Sequence, residues 1–191
     1  MKRIEFDQVT TRGGDSGQSS SYSGERLYKD DILFEALGDL DELISHLGLA
    51  RAAVREQASR GAPFHREEKT LDGIQRSLMT VGAVFATSPS SEQFAEIPKI
   101  TEADIEKLET AEHTLLRSTE ISQQFVVPGA PARGVPSVDV ARSVTRRCER
   151  RIVRVIREKQ RPDWEARLCQ NYVNRLSDYL FVLARYCEQS S

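Results

Sequence analysis

The sequence predicts an all-α protein, in which a five-helix up-and-down bundle follows a glycine- and serine-rich N-terminal loop. Apolar residues recur at intervals of three and four in five long segments, and connections rich in proline, glycine and serine separate these segments. No segment of useful length alternates between apolar and polar residues as a strand does. Because 39% of the 191 residues are hydrophobic, the chain can bury one sizeable core, and we expect a single domain over residues 1–191.

The first two helices follow residue 31. The apolar stripe of the first helix consists of Leu33, Leu37, Leu40, Ile44 and Leu47. This helix continues through Val54 and should end before the Gly-Ala-Pro run at 61–63. The stripe of the second helix consists of Leu71, Ile74, Leu78, Val81 and Phe85. A Ser-Pro-Ser-Ser run at 88–91 should end it.

The third helix is predicted from its N-terminal signal. Thr101 is a candidate N-cap, and Asp104 stands at the position that completes a capping box. This helix directs Ile105, Leu108 and Leu115 inward and should end near Arg117. A loop with proline and glycine then runs from Phe-Val-Val-Pro-Gly at 125–129 to residue 136.

The last two helices are long. Ser137 is the predicted N-cap of the fourth helix. Its apolar stripe consists of Val138, Ala141, Val144, Cys148 and Ile152. The fifth helix should run from about Asp163 to Cys187. Its stripe consists of Leu168, Tyr172, Leu176, Leu180 and Leu183.

Composition excludes several classes of protein. The net charge of -2 argues against general nucleic-acid binding. The three cysteines, Cys148, Cys169 and Cys187, are odd in number and widely spaced, which matches neither a disulfide framework nor a zinc site. We interpret them as small core residues of a protein in a reducing compartment. The sequence shows no signal-peptide pattern and no apolar run long enough to span a membrane, so we expect a soluble cytoplasmic protein.

Residues 11–31 have the composition of a phosphate-binding loop. Four of the eleven glycines fall within twelve positions beside five serines, and Arg12, Arg26 and Lys29 add positive charge. Glycine lets backbone N–H groups turn toward an anion, and serine hydroxyls add donors. The same composition is typical of a flexible tail, and the two interpretations have equal weight. The first divides the chain into a phosphate-binding segment at 1–31 and a helical bundle at 32–191.

The fourth helix carries an unusual density of arginine. Seven arginines fall between residues 142 and 157, and Arg142, Arg146, Arg150 and Arg154 recur every four residues on one face. A solvated surface is the simpler interpretation. Like charges one turn apart repel by a few tenths of a kcal/mol per pair, however, and a bound polyphosphate would relieve that repulsion.

The fifth helix interrupts its apolar pattern with Asn174, Arg175 and Asp178. One interpretation is a surface salt bridge between Arg175 and Asp178, which are three residues apart. The other is that Asn174 offers its amide to a ligand while Asp178 holds Arg175 in place. The chain contains no P-loop, dinucleotide-binding, HExxH or CxxC motif. An enzyme built on this chain would therefore act by binding and orienting its reactants.

Five stretches in order resemble the PduO-type ATP:cob(I)alamin adenosyltransferases. They are TRGGDSGQSSSYSGERLYKDD at 11–31, FEALGDLDELISHLGLA at 34–50, FVVPG at 125–129, ARSVTRRCERR at 141–151 and NRLSDYLFVLARY at 174–186. The resemblance implies a five-helix bundle that assembles as a homotrimer with active sites between adjacent subunits. It further implies transfer of the 5'-deoxyadenosyl group of ATP to the cobalt of cob(I)alamin, with release of triphosphate.

The resemblance also implies roles for particular residues. Those that would wrap the triphosphate are Thr11, Arg12, Gly13, Gly14, Ser19 and Ser20. Lys29 would neutralise it, and Asp15 would shape the loop or approach the magnesium that the ATP phosphates carry. Those that match the ATP-contacting cluster of the family are Arg146, Arg147, Glu149, Arg150 and Asn174.

Three further positions match the corrinoid side and the subunit boundary. Asp41 and Arg142 match a pair that bridges two subunits, and Phe125 matches a residue that packs under the corrin ring and excludes its lower ligand. The implied partners are a flavoprotein that reduces the corrinoid and an enzyme that uses adenosylcobalamin.

Some residues depart from the family pattern. Gly13 stands where many relatives have threonine or asparagine, Asp139 replaces a frequent histidine, and the loop after Phe125 reads Pro-Gly-Ala-Pro at 128–131. Two alternatives therefore stand beside the enzyme: a non-catalytic trimer that carries or senses adenosylcobalamin, and a purely structural bundle with a disordered tail.

Overall fold

The structure is a computed structural model that describes residues 3–121, 123–129 and 135–190. Its elements in chain order are α1 (Phe6–Val9), β1 (Gln18–Ser20), β2 (Arg26–Tyr28), α2 (Ile32–Ser59), α3 (His65–Ala86), α4 (Gln93–Glu96), α5 (Glu102–Leu116), α6 (Pro136–Glu158) and α7 (Trp164–Gln189). The five predicted helices correspond to α2, α3, α5, α6 and α7, so the all-α bundle is confirmed. The prediction did not include α1, α4 or the short hairpin of β1 and β2, because three or four residues are too few to show a periodicity.

Ion pairs and hydrogen bonds between the helices define their directions. Lys159 after α6 pairs with Asp31 before α2 at 2.7 Å, so these two helices run antiparallel. The amide of Gln75 on α3 donates to the carbonyl oxygen of Ile44 on α2 at 3.0 Å. Arg175 on α7 pairs with Glu109 on α5 at 2.8 Å. Helices α2, α6, α7 and α3 surround the core, and α5 packs on the outside of α7.

The helix starts follow the capping rules with one correction. Thr101 and Asp104 form the predicted capping box of α5. Asp163 caps α7, and its carboxylate accepts a hydrogen bond from the backbone N–H of Ala166 at 3.0 Å. The prediction that Ser137 caps α6 is wrong, because the N-cap is Val135, two residues earlier, and the helix begins at Pro136. Proline has a φ angle suited to the first helical turn and needs no hydrogen bond for its nitrogen there.

The core is built from the predicted apolar stripes. Its largest fully buried aliphatic side chains include Leu40, Leu43, Leu47, Leu71, Leu78, Ile152, Leu176, Leu180 and Leu183. The three cysteines are buried, as predicted, and none of them forms a disulfide. Burial disfavours the charged thiolate and raises the pKa of each thiol to about 12. None of the helices in the described ranges is long and apolar enough to cross a bilayer.

The N-terminal segment is folded against the bundle. Strands β1 and β2 pair antiparallel, with Ser19 opposite Leu27. The turn between them is attached to the end of α3, since Tyr22 donates its backbone N–H to the carbonyl oxygen of Ala86 at 2.9 Å. Residues 11–31 therefore do not have the structure expected of a flexible tail.

Candidate functional site

The loop that leads into the hairpin is compact and positively charged. Its turns are closed by backbone hydrogen bonds from Asp15 to Arg12 and from Gly17 to Gly14, at 3.2 and 3.1 Å. The side chain of Lys29 lies on Gly14, where a Cβ atom would come within 2.8 Å of the lysine Nζ. Glycine leaves room for this contact, so the ammonium group can lie over the loop backbone.

The remaining predicted residues of the loop lie beside this lysine or on the adjoining hairpin. The backbone N–H of Gly13 donates to the hydroxyl of Thr11 at 3.4 Å. Ser19 and Ser20 belong to β1. Arg26 on β2 donates to the carbonyl oxygen of Gly13 at 3.2 Å and to the Ser20 hydroxyl at 3.5 Å. Arg26 thus ties the hairpin to the loop.

The arginines of α6 form two groups that point in different directions. One group faces α2 and is neutralised by carboxylates there. Arg147 lies 3.3 Å from Asp39 and also pairs with Glu42, and Arg151 lies 2.7 Å from Glu35. The carboxylates of α2 therefore relieve much of the repulsion between these arginines, which the sequence alone had suggested a bound anion would relieve.

The second group faces away from α2. Arg146 and Arg150 form no hydrogen bond or ion pair with any other residue in the described ranges. Together with Glu149, Val153, Arg154 and Arg157 they line a cleft of about 400 Å³. Two arginine side chains that form no ion pair, at an open cleft, are suited to contact an anionic ligand.

Asn174 lies beside this second group. Its amide nitrogen donates to the carboxylate of Glu149 at 2.9 Å, which joins α7 to α6. Its amide oxygen accepts a hydrogen bond from Arg175 at 2.6 Å. The predicted pair of Arg175 and Asp178 does not form, because Arg175 reaches across to Glu109 on α5 at 2.8 Å.

Arg142 and Arg146 also line a smaller cleft of about 290 Å³. Glu112 and Asp178 contribute carboxylates to it. Burial raises the pKa of Glu112, and the negative charge of Asp178 raises it further. Arg142 itself donates to the carboxylate of Asp139 at 3.1 Å.

The predicted partner of Arg142 lies elsewhere on the surface. Asp41 on α2 is exposed, and no ion pair joins it to Arg142 among the described residues. The predicted bridge concerns two subunits, so it stays a prediction.

The loop after α5 adds an apolar surface near the arginines. Phe125 is fully exposed, as is much of Val127. The residues that follow them, Pro128 and Gly129, line a cleft of about 440 Å³ whose opposite wall includes Arg150. The departures noted at Ala130 and Pro131 lie outside the described residues.

The two halves of the predicted site are separate within one chain. No hydrogen bond or ion pair in the described ranges joins residues 11–29 to Arg146, Arg150 or Asn174. One chain therefore holds a positive loop and a positive cleft that no hydrogen bond or ion pair of the described residues connects.

The sequence analysis missed four acidic residues that organise this region. Glu35, Asp39 and Glu42 recur at intervals of four and three on α2, and that spacing predicts a shared face. Glu109 gave no such signal, because its partner lies on a helix distant in sequence.

A further cleft was also missed. It has a volume of about 550 Å³ and lies between the hairpin turn and the connection from α6 to α7. Its one buried arginine, Arg161, pairs with Asp163 at 2.8 Å and donates to the carbonyl oxygen of Val84 at 3.2 Å. This arginine therefore has a structural role.

Comparison with known proteins supports the resemblance. The model of the cobalamin adenosyltransferase family matches residues 9–187. The chain is 38% identical over 187 residues to corrinoid adenosyltransferase MMAB of Bos taurus. The aligned region covers 97% of this chain and 73% of that protein. It is 35% identical to a corrinoid adenosyltransferase of Citrobacter freundii, with 93% of each chain covered.

Solved structures give the same result. A variant PduO-type ATP:corrinoid adenosyltransferase from Lactobacillus reuteri, complexed with cobalamin and ATP, matches with a TM-score of 0.80 and 28% identity. The match covers 95% of this chain and 93% of that one. Because the family model and the relatives both span most of the sequence, the chain belongs to the cobalamin adenosyltransferase family.

Proposed function

We propose that this protein is an ATP:corrinoid adenosyltransferase that forms adenosylcobalamin and releases triphosphate. The observation that carries the proposal is the cleft on α6, where Arg146 and Arg150 form no ion pair in the described ranges and Asn174 is held against Glu149 at 2.9 Å. A nucleotide would offer phosphate charge to the arginines and polar edges to the amide.

The phosphates of ATP would be bound by both halves of the site. The loop at 11–20 would offer backbone N–H groups and serine hydroxyls, with Lys29 as its cation. Arg146 and Arg150 would contact the same phosphates from α6, while Arg147 is already paired with α2 and would shape the wall behind them. Magnesium would enter with the phosphates, near Asp15.

We further propose that each site forms between adjacent subunits of a homotrimer. The separation of the loop from the α6 cleft supports this arrangement, because a second copy could bring its loop to the cleft of the first. Asp41 and Arg142 would then form the predicted bridge between the two subunits. Residues 1–31 would serve as the phosphate-binding part of a single domain whose remainder, 32–191, is the bundle.

The corrinoid would lie near the loop after α5. Phe125 is an exposed aromatic residue in the loop whose next residues, Pro128 and Gly129, line a cleft with Arg150, which suits a side chain that packs under the corrin ring. By excluding the lower ligand it would make reduction to the cob(I) state easier. The electron would come from a separate flavoprotein, and the product would pass to an adenosylcobalamin-dependent enzyme. Three buried cysteines without a disulfide support a reducing, cytoplasmic location.

The reaction needs alignment more than side-chain activation. Cob(I) attacks C5' of ATP, so that a Co–C bond forms while the C5'–O bond breaks and its electron pair leaves with triphosphate. Negative charge therefore grows on the leaving oxygen. Arg146, Arg150 and Lys29 would stabilise it, and a hydrogen bond to a charged group contributes about 1.5 to 3 kcal/mol.

The activity is tested by an anaerobic assay with Mg-ATP and chemically reduced cob(I)alamin. We expect the absorbance change that accompanies adenosylcobalamin formation and one triphosphate per product. Binding of ATP without product would overturn the enzymatic proposal and favour a carrier or sensor.

The position of the site is tested by mixing two inactive variants. Lys29→Ala removes the cation of the loop, and Arg146→Ala removes that of the cleft. If each site uses the loop of one subunit and the cleft of the next, co-expressed variants will form some oligomers with an intact site and recover part of the activity. Each variant expressed alone is the control. Absence of recovered activity in the mixed oligomers would contradict a site between subunits.

A further inference from the structure

A series of hydrogen bonds connects α5 to the α6 cleft through α7. Glu109 on α5 accepts from Nε of Arg175 at 2.8 Å, and Nη1 of Arg175 donates to the side-chain oxygen of Asn174 at 2.6 Å. The amide nitrogen of Asn174 then donates to Glu149 on α6 at 2.9 Å. The last two members of this series belong to the ATP-contacting cluster, and the first two do not.

The series allows only one orientation of the Asn174 amide. An asparagine side chain has a donor end and an acceptor end, whereas a guanidinium only donates and a carboxylate only accepts. With Arg175 on one side and Glu149 on the other, the oxygen must face the arginine. A flipped amide would place its oxygen against the carboxylate and its nitrogen against the guanidinium, so both bonds would be lost. The second N–H of the amide remains available in the observed orientation.

Arg175 needs Glu109 to hold this position. Successive side chains on a helix point about 100° apart, so Arg175 does not face Asn174 by default. The ion pair with Glu109 fixes Nε and leaves Nη1 to bond the neighbouring amide. Asp178, one turn further along α7, accepts a hydrogen bond from Ser177 at 3.5 Å and none from Arg175.

We propose that Glu109 and Arg175 are positioning residues that orient the Asn174 amide for ATP. The inference rests on the proposed function, because it assumes that Asn174 contacts the nucleotide. Neither residue touches ATP in this arrangement; they act through Asn174. The side chains of Arg175 and Glu109 are 43% and 48% exposed, so the effect is modest and weakens at high salt.

The first test is the kinetics of Glu109→Gln, which keeps the shape of the side chain and removes its charge. We expect KM for ATP to rise about two- to fivefold, the range of a half-exposed ion pair, with kcat and KM for the corrinoid unchanged. The difference should shrink as ionic strength rises. Glu106→Gln is the matched control, since Glu106 is an exposed glutamate on the same helix, and it should leave all three constants unchanged.

The second test observes the amide directly. The side-chain N–H signals of Asn174, recorded by NMR with selectively labelled asparagine and no ATP, should shift in Glu109→Gln and not in Glu106→Gln. Arg175→Lys, which cannot bond both partners, should shift them as well, and adding Glu109→Gln to it should cause no further change. Wild-type values of KM and unshifted signals in Glu109→Gln would overturn the inference. Failure of the wild-type protein to use ATP would instead overturn the proposed function.

Discussion

Arg147 on α6 lies 3.3 Å from the carboxylate of Asp39 on α2. Contacts of this kind distinguish the arginines of α6 that face α2 from those that face away. Side chains that face α2 are neutralised within the chain and fix the two helices against each other. Those that face away, Arg146 and Arg150, keep their charge for a ligand. A single helix can therefore carry both a packing surface and a surface suited to an anion without strong repulsion among its arginines.

The Arg146→Ala substitution should affect catalysis far more than stability. Arg146 lines both the 400 Å³ and the 290 Å³ clefts, and in the proposed function it contacts the triphosphate as this group leaves. Loss of one preorganised donor to a developing charge costs about 100- to 1,000-fold in rate, and we expect a fall of that size in kcat/KM. Arg167→Ala, an exposed arginine on α7, is the control. Near-normal turnover in Arg146→Ala would remove this residue from the site.

Gly14→Ala should weaken ATP binding without unfolding the protein. Its added Cβ would lie 2.8 Å from Nζ of Lys29, and the flexible lysine would move away from the loop to avoid it. We expect KM for ATP to rise severalfold, measured beside the melting temperature. Gly13→Ala is a matched control, because its Cβ would meet only the hydroxyl of Thr11 at an ordinary 3.6 Å. Equal effects of the two substitutions would show that loop flexibility, not the position of Lys29, sets the affinity.

Phe125→Ala should impair the corrinoid step selectively. An exposed aromatic side chain adds nothing to the core, so the variant should fold normally and bind ATP as well as the wild type. We expect a large loss of activity when a reductase supplies electrons to cob(II)alamin and a smaller loss with chemically prepared cob(I)alamin. Val127→Ala, at another exposed apolar residue of the same loop, is the control. Equal losses in both assays would contradict a role in excluding the lower ligand.

The helices could be predicted from the sequence because each buries a continuous apolar stripe over many turns. The N-terminal end of α6 was misplaced by two residues, since both Pro136 and Ser137 are typical of a helix start. The site was less predictable. Periodicity placed seven arginines on α6, but which of them face α2 depends on how the helices pack. The partner of Arg175 likewise depends on the position of α5.

Asp139→Ala should destabilise the fold. Asp139 and Arg185 are both buried, their side chains only 5% exposed, and they lie 2.5 Å apart. Removing the carboxylate would leave the arginine with Glu188 as its remaining partner at 2.7 Å and take away the acceptor for Arg142. Because Glu188 still balances the charge of Arg185, we expect the cost of a lost hydrogen bond to a charged group, about 1.5 to 3 kcal/mol, which urea unfolding would measure. Glu106→Ala should change stability little, and a similarly small effect at Asp139 would contradict a structural role for the pair.

Glu67 should make the free energy of unfolding fall as pH rises, whereas a carboxylate in an ion pair makes it rise. It is buried on α3 near Tyr179 and Cys187, and one of its carboxylate oxygens has no hydrogen-bond partner in the described residues. Burial raises its pKa, although the nearby Arg66 opposes the shift. The neutral carboxyl is therefore favoured in the fold. Its contribution to stability is complete below the ordinary carboxyl pKa and is lost as pH rises through the raised value.

Glu67→Gln, which cannot ionise, should keep its stability over this range. We expect the free energy of unfolding of the variant, minus that of the wild type, to grow by about 1 kcal/mol between acidic and neutral pH, the order expected for an unsatisfied buried group. Glu68→Gln is the contrasting control, because hydrogen bonds from Arg55 and Arg51 lower the pKa of Glu68. The stabilising effect of the Glu68 carboxylate is present above the ordinary carboxyl pKa and is lost as pH falls. The free energy of unfolding of Glu68→Gln, minus that of the wild type, should therefore be negative at neutral pH and vanish in acid. Parallel curves for the wild type and Glu67→Gln would mean that Glu67 is solvated in the native protein.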